Sequence, residues 1–335
     1  MAIKGYATKG PKGPLEPFEF EPGPLGADEV EVEVKVTHCG ICHSDLAMID
    51  NDWGFSTYPL VPGHEVVGTI AALGSNVTDR KVGERVGVGW SCGSCGHCEW
   101  WGHGLESLCA QNQGVIVGHH GGWAESVRAK SKFAVPMPEV LESELAGPLM
   151  CAGSTVFTPM ARFGVKPTMR AAVVGIGGLG HLAVQFLKAF GCDVTAISST
   201  HSKDDEARKM GASHFLATKG TDELKQAANS FDFILSTVSA DVPWGDYVGA
   251  LRPQGRLVLV GIPESDLKIP PFPLLTEKSV SGGSCGSPSD TANMLDFAAR
   301  NNIRPVVEPF AMAEVNKAVD HVRSGKARYR VVLHA

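Results

Sequence analysis

The chain has 335 residues, 43% of them hydrophobic and 20% charged, with 39 glycines and a formal net charge of −6. That length exceeds one ordinary core and points to two domains, and the composition is globular, with glycine above the typical ~7%. There is no basic block, no apolar run of membrane-spanning length (~18 residues), and no apolar signal core in the opening Met1-Ala2-Ile3-Lys4-Gly5-Tyr6, so nucleic acid and membranes are excluded as partners and a cytoplasmic protein is expected.

In chain order, residues 1 to about 150 read as short strands and glycine turns, a β-rich lobe. Val30-Glu31-Val32-Glu33-Val34-Lys35-Val36 alternates apolar and charged residues with period two, which predicts a strand that breaks at Gly40. Strands are also predicted over 65–74 and 82–88. From residue 170 the character changes. Ala171-Ala172-Val173-Val174 is a buried-strand run, Leu179 to Phe190 has helical spacing, and Val194-Thr195-Ala196-Ile197 is a second strand. A helix over 204–210 and strands at 231–235 and 256–260 follow. Strand–helix alternation of this kind implies an α/β domain with a doubly wound parallel sheet. The last fifty residues hold one helical stretch, Ser289 to Arg300, and close with a strand, Tyr329 to Leu333.

Chemistry gathers first at His38-Cys39-Gly40-Ile41-Cys42-His43-Ser44-Asp45, then at Pro62-Gly63-His64-Glu65, and far downstream at Cys151. A thiolate, an imidazole, a carboxylate and a second thiolate drawn from these stretches make a zinc set: soft ligands that select zinc, plus an oxygen ligand that water or substrate can displace. Zinc in such an open site acts as a Lewis acid on a carbonyl or alkoxide oxygen.

Gly175-Ile176-Gly177-Gly178-Leu179-Gly180 matches G-x-G-x-x-G between a predicted strand and a predicted helix, the context that marks a dinucleotide site. The next strand ends in Ser198, Ser199, Thr200 and Lys203, without the carboxylate that usually takes the ribose of NAD. Hydroxyls and a lysine suit the 2′-phosphate of NADP. The alternative is that Asp204 or Asp205 serves the ribose, although both fall in the next predicted helix. Separately, Cys92-x2-Cys95-x2-Cys98-x10-Cys109 can close a tetrahedral structural zinc site; the alternative is a loop of free thiols.

With these residues in hand, the chain resembles the zinc-dependent medium-chain dehydrogenases, and within them the cinnamyl alcohol dehydrogenase group and its bacterial NADP-dependent aldehyde reductase relatives. The resemblance rests on Cys39 to Leu46, Pro62 to Glu65, Pro148 to Gly153, Gly175 to Gly180 and Arg328-Tyr329-Arg330, and covers nearly the whole chain. It implies a GroES-like catalytic domain at 1–152 and 286–335, a Rossmann domain at 153–285, and a homodimer. It implies catalytic zinc on Cys42, His64 and Cys151, with Glu65 exchanging with water. Ser44 would pass the substrate proton, and Asp45 would orient His64. His43, Thr155 and the backbone around Val260 and Ile262 would contact the cofactor, Arg330 would lie near its phosphates, and Trp53 and Trp90 would line an apolar or aromatic substrate pocket.

Two departures stand out. The family's structural-zinc pattern, C-x2-C-x2-C-x7-C, falls on Cys95, Cys98, Trp101 and Cys109, so Trp101 replaces one cysteine and Cys92 is the spare thiol that would complete the set. Ala47 stands where many relatives carry a relay histidine. The expectation is a zinc-dependent alcohol dehydrogenase acting as an NADP(H)-dependent aldehyde reductase. The alternatives are an NAD-linked polyol or formaldehyde dehydrogenase and a zinc- and nucleotide-binding sensor without turnover.

Overall fold

Valines at 32, 34 and 36 are buried while the charged residues between them reach outward, and the chain forms a strand over Glu31–Ile41 in the computed structural model. The structure describes residues 2–25 and 31–335; Val30, the start of the predicted strand, lies outside the described residues. The chain divides into two units.

The first unit comprises Met1–Cys151, Cys285–Arg300 and Arg304–Ala335. Its seven-stranded sheet is organised on Glu31–Ile41, which pairs antiparallel with Val66–Leu73, Ser126–Lys130 and Arg330–His334. The carboxyl-terminal strand thereby sets Leu333 opposite Cys39 and Val331 opposite Ile41. The predicted break at Gly40 does not occur. Gly40 pairs with Val332 and donates its N–H to the Glu65 carbonyl at 3.0 Å, so the strand runs on to Ile41.

A helix, His43–Asp50, begins at once. It is hard to read from sequence because it is short and Asp45, Leu46, Ala47, Met48 and Ile49 are all buried, which leaves no one-sided apolar period. A second carboxyl-terminal helix, Val315–Arg323, likewise goes beyond the sequence reading.

The second unit, Ala152–Ser284 with Asn301–Ile303, carries a six-stranded sheet, all parallel. The order is His214–Ala217, Asp193–Ser198, Arg170–Val174, Phe231–Ser236, Leu251–Leu259, Ser279–Gly282. The two outermost strands have four residues each, too few for the run to announce itself in sequence. The helix Gly180–Ala189 follows the strand Arg170–Val174 through the glycine-rich turn. Among the described residues, no helix is long and apolar enough to cross a membrane.

Candidate active site

The first unit gathers Cys42, His64, Glu65 and Cys151, all buried, with their ligand atoms within 4.8 Å of one another. Three devices deliver them. Cys42 caps the helix His43–Asp50. His64 and Glu65 follow Gly63, whose φ of +101° favours glycine. Cys151 sits in a π-helical turn, Leu149–Gly153, a widened turn of the kind often found at functional sites.

Asp45, fully buried, ties two of these pieces together. Its Oδ2 accepts the Cys42 N–H at 2.9 Å, and its Oδ1 accepts the Gly63 N–H at 2.9 Å and His64 Nδ1 at 2.8 Å. A carboxylate at Nδ1 fixes the proton there and leaves the Nε2 lone pair for a metal. Nε2 faces Cys151 Sγ at 3.2 Å, and the two sulfurs of Cys42 and Cys151 are 4.0 Å apart.

Glu65 is held by Arg330, whose Nη2 donates to Oε1 in a fully buried pair. Glu65 Oε2 is buried with no hydrogen-bond partner. An orphaned carboxylate oxygen facing an imidazole and two sulfurs is the arrangement a bound cation satisfies. The close approach also explains Gly40: a Cβ there would strike the Glu65 carboxylate. Arg330 was expected near cofactor phosphates; the interaction the structure gives its guanidinium is this pair.

Without a metal the donors cannot all be anionic in one dry pocket. Sharing a proton with Cys151 lowers the Cys42 thiol well below its ordinary value and raises Cys151 well above it. Burial pushes Glu65 up to about 7 against the pull of Arg330. Burial also opposes a charged His64, but Asp45 and Cys42 outweigh it and hold the imidazole above its ordinary range.

In the second unit, Gly175 has φ +87°, and a Cβ at Gly180 would strike the Gly175 carbonyl, so both positions need glycine. Nothing lies within 4 Å of where a Cβ at Gly177 would stand, which leaves open space over the turn for a pyrophosphate. Ser199 and Thr200 are exposed at the end of the strand Asp193–Ser198. Lys203 Nζ reaches back to the Ile176 carbonyl at 2.5 Å, which sets its ammonium beside the glycine turn. Asp204 and Asp205 lie in the helix Asp204–Lys209, and Asp204 is taken by Arg208 at 2.7 Å. Thr155 is nearly buried in the helix Ser154–Arg162, Val260 donates its N–H to Ser236 at 2.9 Å, and Ile262 is exposed.

Residues 28–139 match the alcohol dehydrogenase GroES-like domain, and residues 178–300 match the zinc-binding dehydrogenase domain. An aldehyde reductase, AdhA, of Synechocystis is 50% identical over 332 residues, covering 99% of this chain and 98% of its own. The chain belongs to the zinc-binding alcohol dehydrogenase family. A cinnamyl alcohol dehydrogenase of Rauvolfia serpentina is 43% identical to this dehydrogenase over 98% of the chain and 94% of its own. Among solved structures, a cinnamyl alcohol dehydrogenase of Sorghum bicolor superposes with a TM-score of 0.94 at 39% identity, covering 100% of this chain and 98% of that one. A cinnamyl alcohol dehydrogenase from Helicobacter pylori, complexed with NADP(H), gives 0.92 at 28% identity over 100% and 98%.

Beside the four-donor group of this dehydrogenase stands a run of rings. Trp90 packs edge-on against His64, with centroids 5.3 Å apart, and Trp53 lies 6.0 Å from Trp90. Phe55, which the sequence alone did not single out, stacks on Trp53 at 5.8 Å and is half exposed. The signal was available in its spacing from Trp53, two residues apart in a glycine turn. Ser44 lies in the first turn of the helix His43–Asp50 with its Oγ 3.9 Å from Cys42 Sγ, and His43 is exposed.

The cysteine loop differs from expectation. Cys95, Cys98 and Cys109 bring their sulfurs within 4.8 Å of one another, but Cys92 is not with them. Its thiol, in the strand Ser91–Gly93, faces the Gln113 carbonyl at 3.4 Å, and burial pushes it up to about 12.

Proposed function

We propose that this dehydrogenase reduces aldehydes to primary alcohols with NADPH at the Cys42–His64–Glu65–Cys151 group. The observation that carries the reading is the convergence of four buried donors on one point, with Glu65 Oε2 left unpartnered. When bound, zinc supplies Lewis-acid polarisation of the carbonyl oxygen and NADPH supplies the hydride. Cys42, His64 and Cys151 hold the metal, and Asp45 keeps His64 in the ligating tautomer. Glu65 is the exchangeable donor, steadied through its other oxygen by Arg330. Ser44 gives the proton that the product oxygen gains. Resupply of that proton runs through water, the ribose hydroxyl or His43, because Ala47 has nothing to offer. Trp90, Trp53 and Phe55 favour a substrate with an apolar or aromatic body. The names of the similar proteins, an aldehyde reductase and cinnamyl alcohol dehydrogenases, support this substrate class.

NADPH is preferred over NADH in this reading, because Ser198, Ser199, Thr200 and Lys203 face the ribose end without a carboxylate. Thr155, Val260 and Ile262 serve the nicotinamide. The test is NADPH and NADH consumption against a panel of aliphatic and aromatic aldehydes. NADPH should give the higher kcat/KM, and Ser199→Asp should narrow or reverse that preference by charge repulsion. Equal or better kcat/KM with NADH in the unaltered enzyme removes the cofactor assignment, and no turnover with any aldehyde removes the reaction.

The enzyme is also proposed to be a cytoplasmic homodimer. Crowded thiols at 92–109 suit a reducing compartment. For the dimer, the support is an edge: Ser279–Gly282 pairs with Leu251–Leu259 on one side only, and the segment before it exposes Phe272 at 80% and Leu275 at 76%. Pairing of two such edges continues the sheet and covers both side chains. Sedimentation should give twice the 35.4 kDa chain mass, and Phe272→Glu with Leu275→Glu should give one. A monomer before substitution counts against the dimer.

A further inference from the structure

The cysteine loop is built to bind, but not in the way a closed structural site is. Backbone N–H groups are aimed at its sulfurs: Cys98 donates to Cys95 Sγ at 3.3 Å, His97 to the same sulfur at 3.5 Å, and Gln111 to Cys109 Sγ at 3.3 Å. Cys109 and Cys95 sulfurs are 3.5 Å apart. Donors of this kind stabilise sulfur as an anion, and several thiolates at such distances need a cation between them. Structural zinc takes four ligands, so the fourth corner decides the character of the site.

The other donor side chains of the loop are turned toward other groups. Cys92 is buried in a hairpin strand whose partner, Gln113–Gly114, supplies the carbonyl its thiol faces. His97 turns Nδ1 to the Cys95 carbonyl at 2.9 Å. Glu106, buried, gives one carboxylate oxygen to the Lys132 ammonium and keeps the other, Oε2, without a hydrogen-bond partner. Trp101, one helical turn beyond Cys98, offers no donor atom, and its ring is covered by the Lys132 ammonium, 4.3 Å from the centroid. Trp101, where the family pattern has a cysteine, thus packs against Lys132, which also pairs with Glu106.

We propose that this loop is a three-sulfur metal site on Cys95, Cys98 and Cys109, with its fourth position open to water or another small exogenous donor. It takes a thiophilic d10 cation, zinc or cadmium, and releases it more readily than a four-cysteine site would. One missing thiolate also leaves the complex one negative charge less, which suits a loop where the Lys132 ammonium is already committed to Glu106.

The test counts sulfurs and times metal release in the full-length enzyme. Cadmium is loaded and the intensity of the cadmium–thiolate charge-transfer band is compared among variants, while zinc release to a chromophoric chelator is followed by stopped flow. Cys92→Ser should leave both band and release rate unchanged. Cys109→Ser should lose the loop metal, and Trp101→Cys should add one sulfur and slow release at least tenfold. These readings do not use catalysis and are taken as differences at the loop, so failure of the active-site assignment, which Cys42→Ala reports, is separable. Loss of band intensity in Cys92→Ser equal to that in Cys109→Ser overturns the proposal, because Cys92 is then the fourth ligand. Absence of any metal beyond the one lost in Cys42→Ala overturns it as well.

Discussion

Cys42→Ala is expected to remove one metal ion per chain and to lower kcat/KM by more than ~100-fold, since changing even a group that only supports a ligand typically costs 10–100-fold. Cys42 does two things at once. Its sulfur stands 4.0 Å from that of Cys151, and its backbone N–H is held by Asp45, the same carboxylate that orients His64. Alanine keeps the backbone contact and deletes only the sulfur, so the loss reports coordination rather than collapse of the turn. The dinucleotide turn at residues 175–180 belongs to the other unit, and NADPH binding, followed by fluorescence titration, should persist within a few-fold. Normal turnover by this variant, or retention of the full metal complement, means that the catalytic metal is not held here.

Ser44→Ala is expected to lower kcat by ~10²–10⁴, the usual cost of losing a positioned proton donor, with metal content and NADPH affinity unchanged. Ser44 is partly exposed at the start of the helix His43–Asp50, close to the proposed ligand Cys42. Ala47 carries no group that can share in proton transfer. The burden therefore rests on the Ser44 hydroxyl, and Ser44→Thr, which keeps a hydroxyl, should recover most of the rate. An unchanged kcat in Ser44→Ala means that water protonates the product directly.

Local pattern was enough for much of this protein. The alternation of valine and charge through residues 31–36 announced the strand on which the first unit is built, because one face of a half-buried strand must be apolar every second residue. The glycine-rich turn between a buried strand and a helix announced the parallel sheet and its dinucleotide, because only glycine tolerates φ of +87° at Gly175 and the close carbonyl at Gly180. The four-residue outer strands His214–Ala217 and Ser279–Gly282 left no such trace, since their length is below one readable period.

Tertiary structure decided what contiguity cannot. That Arg330 serves Glu65, 265 residues away, follows from the carboxyl-terminal strand pairing with Glu31–Ile41, and a buried carboxylate needs a cation that no local segment offers. That Asp45 joins Cys42 to His64 depends on where a helix cap meets a glycine turn. The cysteine loop makes the contrast sharpest. Four cysteines within eighteen positions can all be read as ligands in one dimension, with Cys92 as the spare thiol that completes the set. In three dimensions the hairpin holds the Cys92 thiol against the Gln113 carbonyl, outside the group formed by Cys95, Cys98 and Cys109. Spacing along the chain fixes which residues are near in sequence, but hydrogen bonding of the backbone decides which way each side chain faces, and a ligand set is a matter of direction.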